Sequence, residues 1–486
     1  MEYTELADYP IHSGTVTEWL PAATSADWRR DPRPLSTNHE AHLAFSSHQT
    51  DDTPNCWIGT AFRISGPLDT AAFTQALRLW VGRHEAYRTT ARAVESDTGR
   101  TFERYCVAAE SVTIDSRRYG RPRGGTEIHD HIEKFFATQI SPFSWPHLVV
   151  TTVEPNISTA EQEWFTVVFA ADHSVMDAYT QVFAIAELTE IYRAVESGRE
   201  PQLPPTASYV DYCVGEREYA AALTADHSDI ARWRDYLTAD SALPGVPRFP
   251  LPVTGTETVG TQPNQQASLS LWLLDAAETE SFTGNAKAQG GSQTSAILAA
   301  AKIALGRLGN SGSTRYLMPM HTRTSLDYAA AAGWFVGLMP VDDALGEATT
   351  FAAAVADTAK ALKVNKDLIG YPYARVAELL GVTQPPEFVI SFVDGRYLPG
   401  AAAWTEHERA LRSTMRSDTE VYLWINRTVD GLNLSARFPA NEIAAASIHA
   451  FIAEFSTVLR DVAATGETSV FLGRLPGRAG AAEEVA

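Results

Sequence analysis

Two of the 13 histidines in this 486-residue chain stand four residues before an aspartate: His173 before Asp177 in "ADHSVMDA", and His48 before Asp52 in "SSHQTDDT". A neutral imidazole can take the proton of a hydroxyl or amine as that group attacks a carbonyl, because histidine changes charge near neutral pH. An aspartate at this spacing can turn back toward the ring, or toward a nearby cation, and so fix the loop. Spacing alone does not separate such a site from a histidine satisfied by local hydrogen bonds, and chance supplies pairs of this kind. The surroundings differ, however. His173 ends the apolar run "VVFAA" and precedes the amphipathic stretch "AYTQVFAIAELTEIYRAVE", which places it on a strand-to-helix turn where rigid elements can hold a side chain toward a cleft. His48 lies in a polar, turn-like stretch.

Other chemistry has less to stand on. "HEAH" (His39 to His42) is one residue short of the HExxH spacing that puts two zinc ligands on one helical face. His129 and His131 in "HDH" point to different faces of an expected helix and read as solvated surface. There is no GxSxG elbow, no phosphate-binding GxxxxGK[ST], and no GxGxxG after a strand. Three cysteines, Cys56, Cys106 and Cys213, lie far apart without a CxxC, as reduced thiols of a cytosolic protein would. A formal net charge of −20 would repel a phosphate backbone, so nucleic acid is excluded as a partner. The start "MEYTELADYPIHSG" has neither the basic nor the apolar region of a signal peptide, and no stretch reaches the ~18 uninterrupted apolar residues of a membrane span. The expected location is cytoplasmic.

The elements that must carry His173 alternate in type. "WIGTAFRIS" reads as a strand, "TAAFTQALRLWVGRH" as a helix, "TEIHDHIEKFFATQI" as a second helix, and "PHLVVTTVE" and "EWFTVVFAAD" as strands. After a stretch dense in proline, glycine and threonine the same grammar resumes with "ASLSLWLLD", "SQTSAILAAAKIALGRL", "TRYLMPMHTR", "GWFVGLMPV" and "EFVISFVDG", closing on the helix "EIAAASIHAFIAEFSTVLRDVAA". These patterns predict an α+β protein of two lobes, each a mixed sheet with flanking helices. The expected divisions are an N-terminal lobe over residues 1–242, a connection over 243–264, a C-terminal lobe over 265–470 and a disordered tail over 471–486.

The segment "ISGPLDTAAFTQALRLWVGRHEAYRTTA" (residues 64–91) resembles the opening motif of the condensation-domain superfamily, with Arg83, His84, Glu85, Tyr87, Arg88 and Thr89 in the places of its RHExLRT signature. "ISPFSWPHLVV", the His173 segment, "GSQTSAILAAAKIAL", "MPMHTRTS", "GWFVGLMPV" and "VISFVDGRYLPGA" follow in family order. With "RPLSTNHEAHL" near the start, the chain is most similar to the free-standing acyltransferases called polyketide-associated proteins, relatives of chloramphenicol acetyltransferase. The resemblance implies two chloramphenicol-acetyltransferase-like lobes with a tunnel between them, the acyl thioester entering on one side and the acceptor on the other. It implies His173 as general base, and Asp177 as a structural residue ion-paired with Arg323, with Arg83 and Arg88 as less favoured partners. Tyr179 and Trp334 are candidates for the tunnel wall.

Two positions depart from the HHxxxDG pattern: Asp172 replaces the first histidine and Ala178 the glycine. A carboxylate at 172 is expected to raise the pKa of His173 by stabilising imidazolium, and Ala178 adds a Cβ where glycine allows close packing. The implied activity is transfer of an acyl group from acyl-CoA, or from a phosphopantetheinyl carrier protein in trans, to a hydroxyl in polyketide, lipid or peptide secondary metabolism. No bound cofactor or metal is implied, and a monomer is expected. Two alternatives stay open: a free-standing condensation enzyme using a carrier-bound aminoacyl group for an amide or ester, and a non-catalytic module that binds a carrier protein.

Overall fold

Phe165 to Ala171 form a wholly buried run, because both faces of their strand are covered. The computed structural model describes residues 2–47, 56–96, 99–120, 124–156, 163–241, 243–255, 263–309 and 313–470. The His48–Asp52 pair, residues 256–262 of the expected connection and the tail 471–486 lie outside the described residues. In the motif strand Trp164–Asp172, Phe165, Val167, Phe169 and Ala171 enter a core that also holds Phe73, Leu77 and Trp80 of helix Thr70–Arg83. Val168 and Ala170 face the opposite way, into a core with Ile128, Ile132 and Phe136 of helix Gly125–Gln139. This strand is the centre of a seven-stranded sheet ordered Glu2–Glu5, Arg409–Arg412, Trp57–Ser65, Trp164–Asp172, Leu148–Pro155, Gly14–Ala22, Thr113–Tyr119.

A six-stranded sheet forms the second lobe, ordered Gln266–Asp275, Gly431–Pro439, Val421–Arg427, Phe388–Asp394, Ser313–His321, Val336–Ala344. Its strands alternate. Val421, Leu423 and Ile425 enter a core shared with helices Gln293–Arg307 and Glu442–Thr465, while Trp424 turns to the first lobe and stacks on Tyr3 with centroids 6.3 Å apart. A three-stranded sheet, Arg29–Asp31, Gly99–Cys106 and Thr89–Ser96, completes the described strands. Helix Glu442–Thr465 is long and apolar enough to cross a membrane by composition, but Ile448, Phe451, Phe455, Val458, Leu459 and Val462 are buried in the second core.

One strand departs from the expected division of the chain. Arg409–Arg412, from the C-terminal half, inserts into the first sheet between Glu2–Glu5 (parallel) and Trp57–Ser65 (antiparallel). It is held there by the motif helix Ala178–Glu196, whose Gln181 Nε2 donates to Leu411 O at 2.7 Å. Across the seam, Arg412 Nη2 donates to Ser268 Oγ at 2.9 Å and Ser435 Oγ to Tyr3 O at 2.7 Å. The lobes therefore meet through hydrogen-bonded strands as well as side-chain packing.

Candidate active site

The motif helix starts at Asp177, whose side chain accepts from Thr180 N and Thr180 Oγ1, each at 2.8 Å. An acidic N-cap satisfies an orphan amide and complements the helix dipole. The same carboxylate accepts from Arg323 Nη1 at 2.7 Å, Arg323 Nη2 at 3.1 Å and Phe335 N at 3.1 Å. Both partners are buried, at 1% and 4% side-chain exposure. Burial alone would raise the Asp177 carboxyl, but the charge and hydrogen bonds of Arg323 and the Thr180 donors outweigh it and hold it below the usual carboxylate range. With five donors on its two oxygens, Asp177 is committed to this clasp and bonds neither nitrogen of His173. Arg323 further donates to Thr180 Oγ1 and Ala331 O and lies over the rings of Phe335 and Tyr179, 4.3 and 4.7 Å from their centroids. Tyr179 thus packs on the clasp and stacks on Phe183.

Arg83 and Arg88 are engaged elsewhere. Arg83 Nε pairs with the buried Glu187 at 2.7 Å, and Arg88 Nη1 donates to Val107 O at 2.7 Å. Glu187 also accepts from Trp80 Nε1 and His84 Nε2, and His84 Nδ1 accepts from Ala332 N. The RHE signature therefore ties the end of one helix to the motif helix and to the 331–335 segment of the other lobe.

That segment presents Trp334. Phe335 is fully buried among Tyr209, Tyr212 and Tyr328. Gly333 has φ +153°, a backbone that disfavours other residues, and a Cβ there would run into the Tyr209 ring. Held from both sides, Trp334 lies against His173 with ring centroids 4.2 Å apart and planes 33° apart. His173 opens a short 3-10 turn, His173–Val175, directly after the motif strand. Its Nδ1 is buried without a hydrogen-bond partner, apart from the favourable influence of the residue's own backbone carbonyl. Burial is the largest influence on the ring and lowers its pKa below 6.5, with the charge of His42 acting in the same direction.

The expected effect of Asp172 is present but is outweighed: its carboxylate raises the proton affinity of His173, and burial wins. Asp172 is fully buried and turned away, with Oδ1 accepting from Ser174 N at 2.9 Å and Oδ2 3.1 Å from His42 Nε2. Burial would raise this carboxyl, yet His42, His147 and Ser174 together hold it well below the usual range. Ala178 is the first residue of the motif helix and packs against the first core. Among the described residues no side-chain-bearing residue has a positive φ, so the backbone at 178 does not require glycine.

His42 reaches the site although nothing in the sequence marks it, since the spacing of "HEAH" bears only on zinc binding and its contact with Asp172 is long-range. His129 and His131 were expected on the surface. Instead His129 Nε2 lies 2.6 Å from Tyr9 O, and His131 is 2.9 Å from Glu18 and stacked on Tyr119. One other convergence of ligand-type groups, Asp31, Glu85 and Cys106, surrounds the guanidinium of Arg33, which pairs with both carboxylates. A cation of the chain's own already occupies the centre of that group.

Among the described residues, hollows of very different size open at the seam between the lobes. One, of only about 10 Å³, is bordered by Ser36, Asn38, Tyr212, Thr322 and Trp334, beside the His173 stack. The other, of about 530 Å³, is bordered by Glu2, Trp272, Trp404 and Arg409.

A family model described as "Condensation domain" matches residues 42–472. Among curated proteins, the acyltransferase PapA3 of Mycobacterium tuberculosis is 28% identical over 317 residues, which are 62% of this chain and 64% of that one, just under two thirds of its length. The trehalose-2-sulfate acyltransferase PapA2 of Mycobacterium bovis is 25% identical over 470 residues, covering 94% of this chain and 96% of that one. A solved structure titled "PapA2 acyl transferase" superposes with a TM-score of 0.82 at 23% identity, covering 95% of this chain and all of that one.

Proposed function

Because the chain belongs to the condensation-domain family, we propose that it is a free-standing acyltransferase that moves an acyl group from a thioester to an acceptor hydroxyl. The donor is acyl-CoA or a phosphopantetheinyl carrier protein acting in trans. His173 is the general base: its Nε2 takes the hydroxyl proton as the acceptor oxygen attacks the thioester carbonyl carbon. The tetrahedral intermediate collapses with cleavage of the C–S bond, and the imidazolium returns the proton to the leaving thiolate. The products are an ester and a free thiol, and no other reactant is needed.

One observation carries this assignment. The imidazole of His173, its pKa lowered by burial, is braced on Trp334 at the seam between the lobes, while the motif carboxylate is fully engaged in holding the lobes together. A general base of this kind contributes roughly 100- to 10,000-fold in rate. The names of the mycobacterial relatives support ester formation, and that of the trehalose-2-sulfate acyltransferase supports a sugar hydroxyl as acceptor.

The test is to supply wild-type protein with a panel of acyl-CoA and acyl-carrier thioesters and with sugar acceptors, following free thiol and product mass together. Thiol release matched one to one by ester is expected. Release of thiol without ester, or an amide as the only product, contradicts the proposal.

A further inference from the structure

His42 belongs to helix Thr37–Ser46, and that helix is fastened on several sides. Ser36 caps it, accepting from His39 N, and also lies 3.0 Å from Tyr209 Oη. Thr37 N donates to Glu216, and Asn38 Nδ2 donates to Val336 O at 2.9 Å. The helix therefore sits against the stretch that presents Trp334. From it the His42 imidazole reaches Asp172 Oδ2 at 3.1 Å and meets the Trp334 indole edge-on, with centroids 5.8 Å apart and planes 84° apart. Trp334 thus touches two imidazoles, lying against that of His173 and edge-on to that of His42.

Asp172 is next to His173 in the chain and has no solvent exposure. A lone buried carboxylate there would be costly in itself and would draw a proton onto any neighbouring imidazole. The other titratable or charged groups that act on this pair are His147 before the strand Leu148–Pro155, His39 on the same helix as His42, Cys56 before the strand Trp57–Ser65, and beyond His173 the mutually paired Asp177 and Arg323. His42 alone among them touches the carboxylate with a group able to carry a full positive charge near neutral pH. Neither the family pattern nor the expected site assigns it a part.

We propose that His42 is a positioning residue for acyl transfer: as an imidazolium bound to Asp172 it cancels the carboxylate beside His173, leaving His173 neutral and Trp334 braced against both rings. The consequence for turnover rests on the acyl-transfer assignment, whereas the charge pairing does not. Burial alone would make His42 harder to protonate, but Asp172 outweighs it and raises the pKa of His42.

The pairing has an asymmetric signature. Replacing His42 leaves Asp172 unbalanced, so His173 becomes easier to protonate. Replacing Asp172 removes the anion and lets His42 lose its proton, so the pair stays neutral and His173 is little affected. Histidine Cε1–H NMR titrations of the full-length chain, with the His173 signal assigned by its loss in H173Q, read this directly. In H42Q the His173 midpoint rises by about one pH unit, whereas in D172N and in H42Q/D172N it stays near the wild-type value. If turnover is present, acyl transfer below that midpoint then falls up to about tenfold in H42Q, with kcat/KM following the shifted titration.

An unmoved midpoint in H42Q, or an equal rise in D172N, overturns the inference; a purely structural His42 would lower Tm and leave the midpoint in place. A shifted midpoint in a protein that releases no thiol supports the pairing and counts against the acyl-transfer assignment instead. D172N, close in shape to the native residue, keeps the comparison available if H42Q folds poorly.

Discussion

Removing water from around His173 disfavours the imidazolium, and the positive charge of His42 adds to that effect. The unfolded chain would protonate this histidine near pH 6.5 and the folded chain only lower. Between those values the unfolded state binds more protons, so this group's contribution to stability is lost as pH falls through 6.5 toward the folded pKa. For catalysis the sign is the same, since a base works only while neutral. The acid limb of kcat/KM against pH should therefore lie below pH 6.5. A limb above it would mean that the Asp172 carboxylate dominates the site. What identified His173 in the sequence was its place between an apolar strand and an amphipathic helix, together with the order of the flanking segments. The raising effect of Asp172 is legible from its place beside His173, but the burial that outweighs it, and the partner of Asp172 130 residues away, come from tertiary packing that spacing along a chain does not carry.

Between elements, the main joint is the Asp177 carboxylate, which caps one helix while clasping an arginine from the other lobe. Asp177→Asn keeps the shape but leaves the Arg323 guanidinium buried without its counter-charge. Breaking a buried pair from one side costs about 3–5 kcal/mol, so urea unfolding should show D177N destabilised by that order. A loss under about 1 kcal/mol would mean that the clasp contributes little. The sequence indicated Asp177 and Arg323 as partners through motif order, and amphipathic patterns placed most of the long helices. The strand Arg409–Arg412 was not legible. Four residues reading RALR, half of them charged, show no strand alternation, and their place in the first sheet depends on edges supplied by Glu2–Glu5 and Trp57–Ser65.

For the molecule as a whole, the site exists only where the lobes meet. His173 and Asp177 come from the first lobe, Trp334 and Arg323 from the second, and a strand from the second half of the chain completes the first sheet. Among the described residues a cleft of about 530 Å³ opens along the same seam. On the proposed reading, the motif carboxylate is occupied by the joint and the imidazole of His173 takes the proton. The most direct measurement is thiol release from an accepted acyl thioester by wild type and by His173→Ala, with circular dichroism confirming that both are folded. A loss of roughly 100- to 10,000-fold in the variant is predicted. Equal rates in the two proteins would contradict the assignment of His173 as the base.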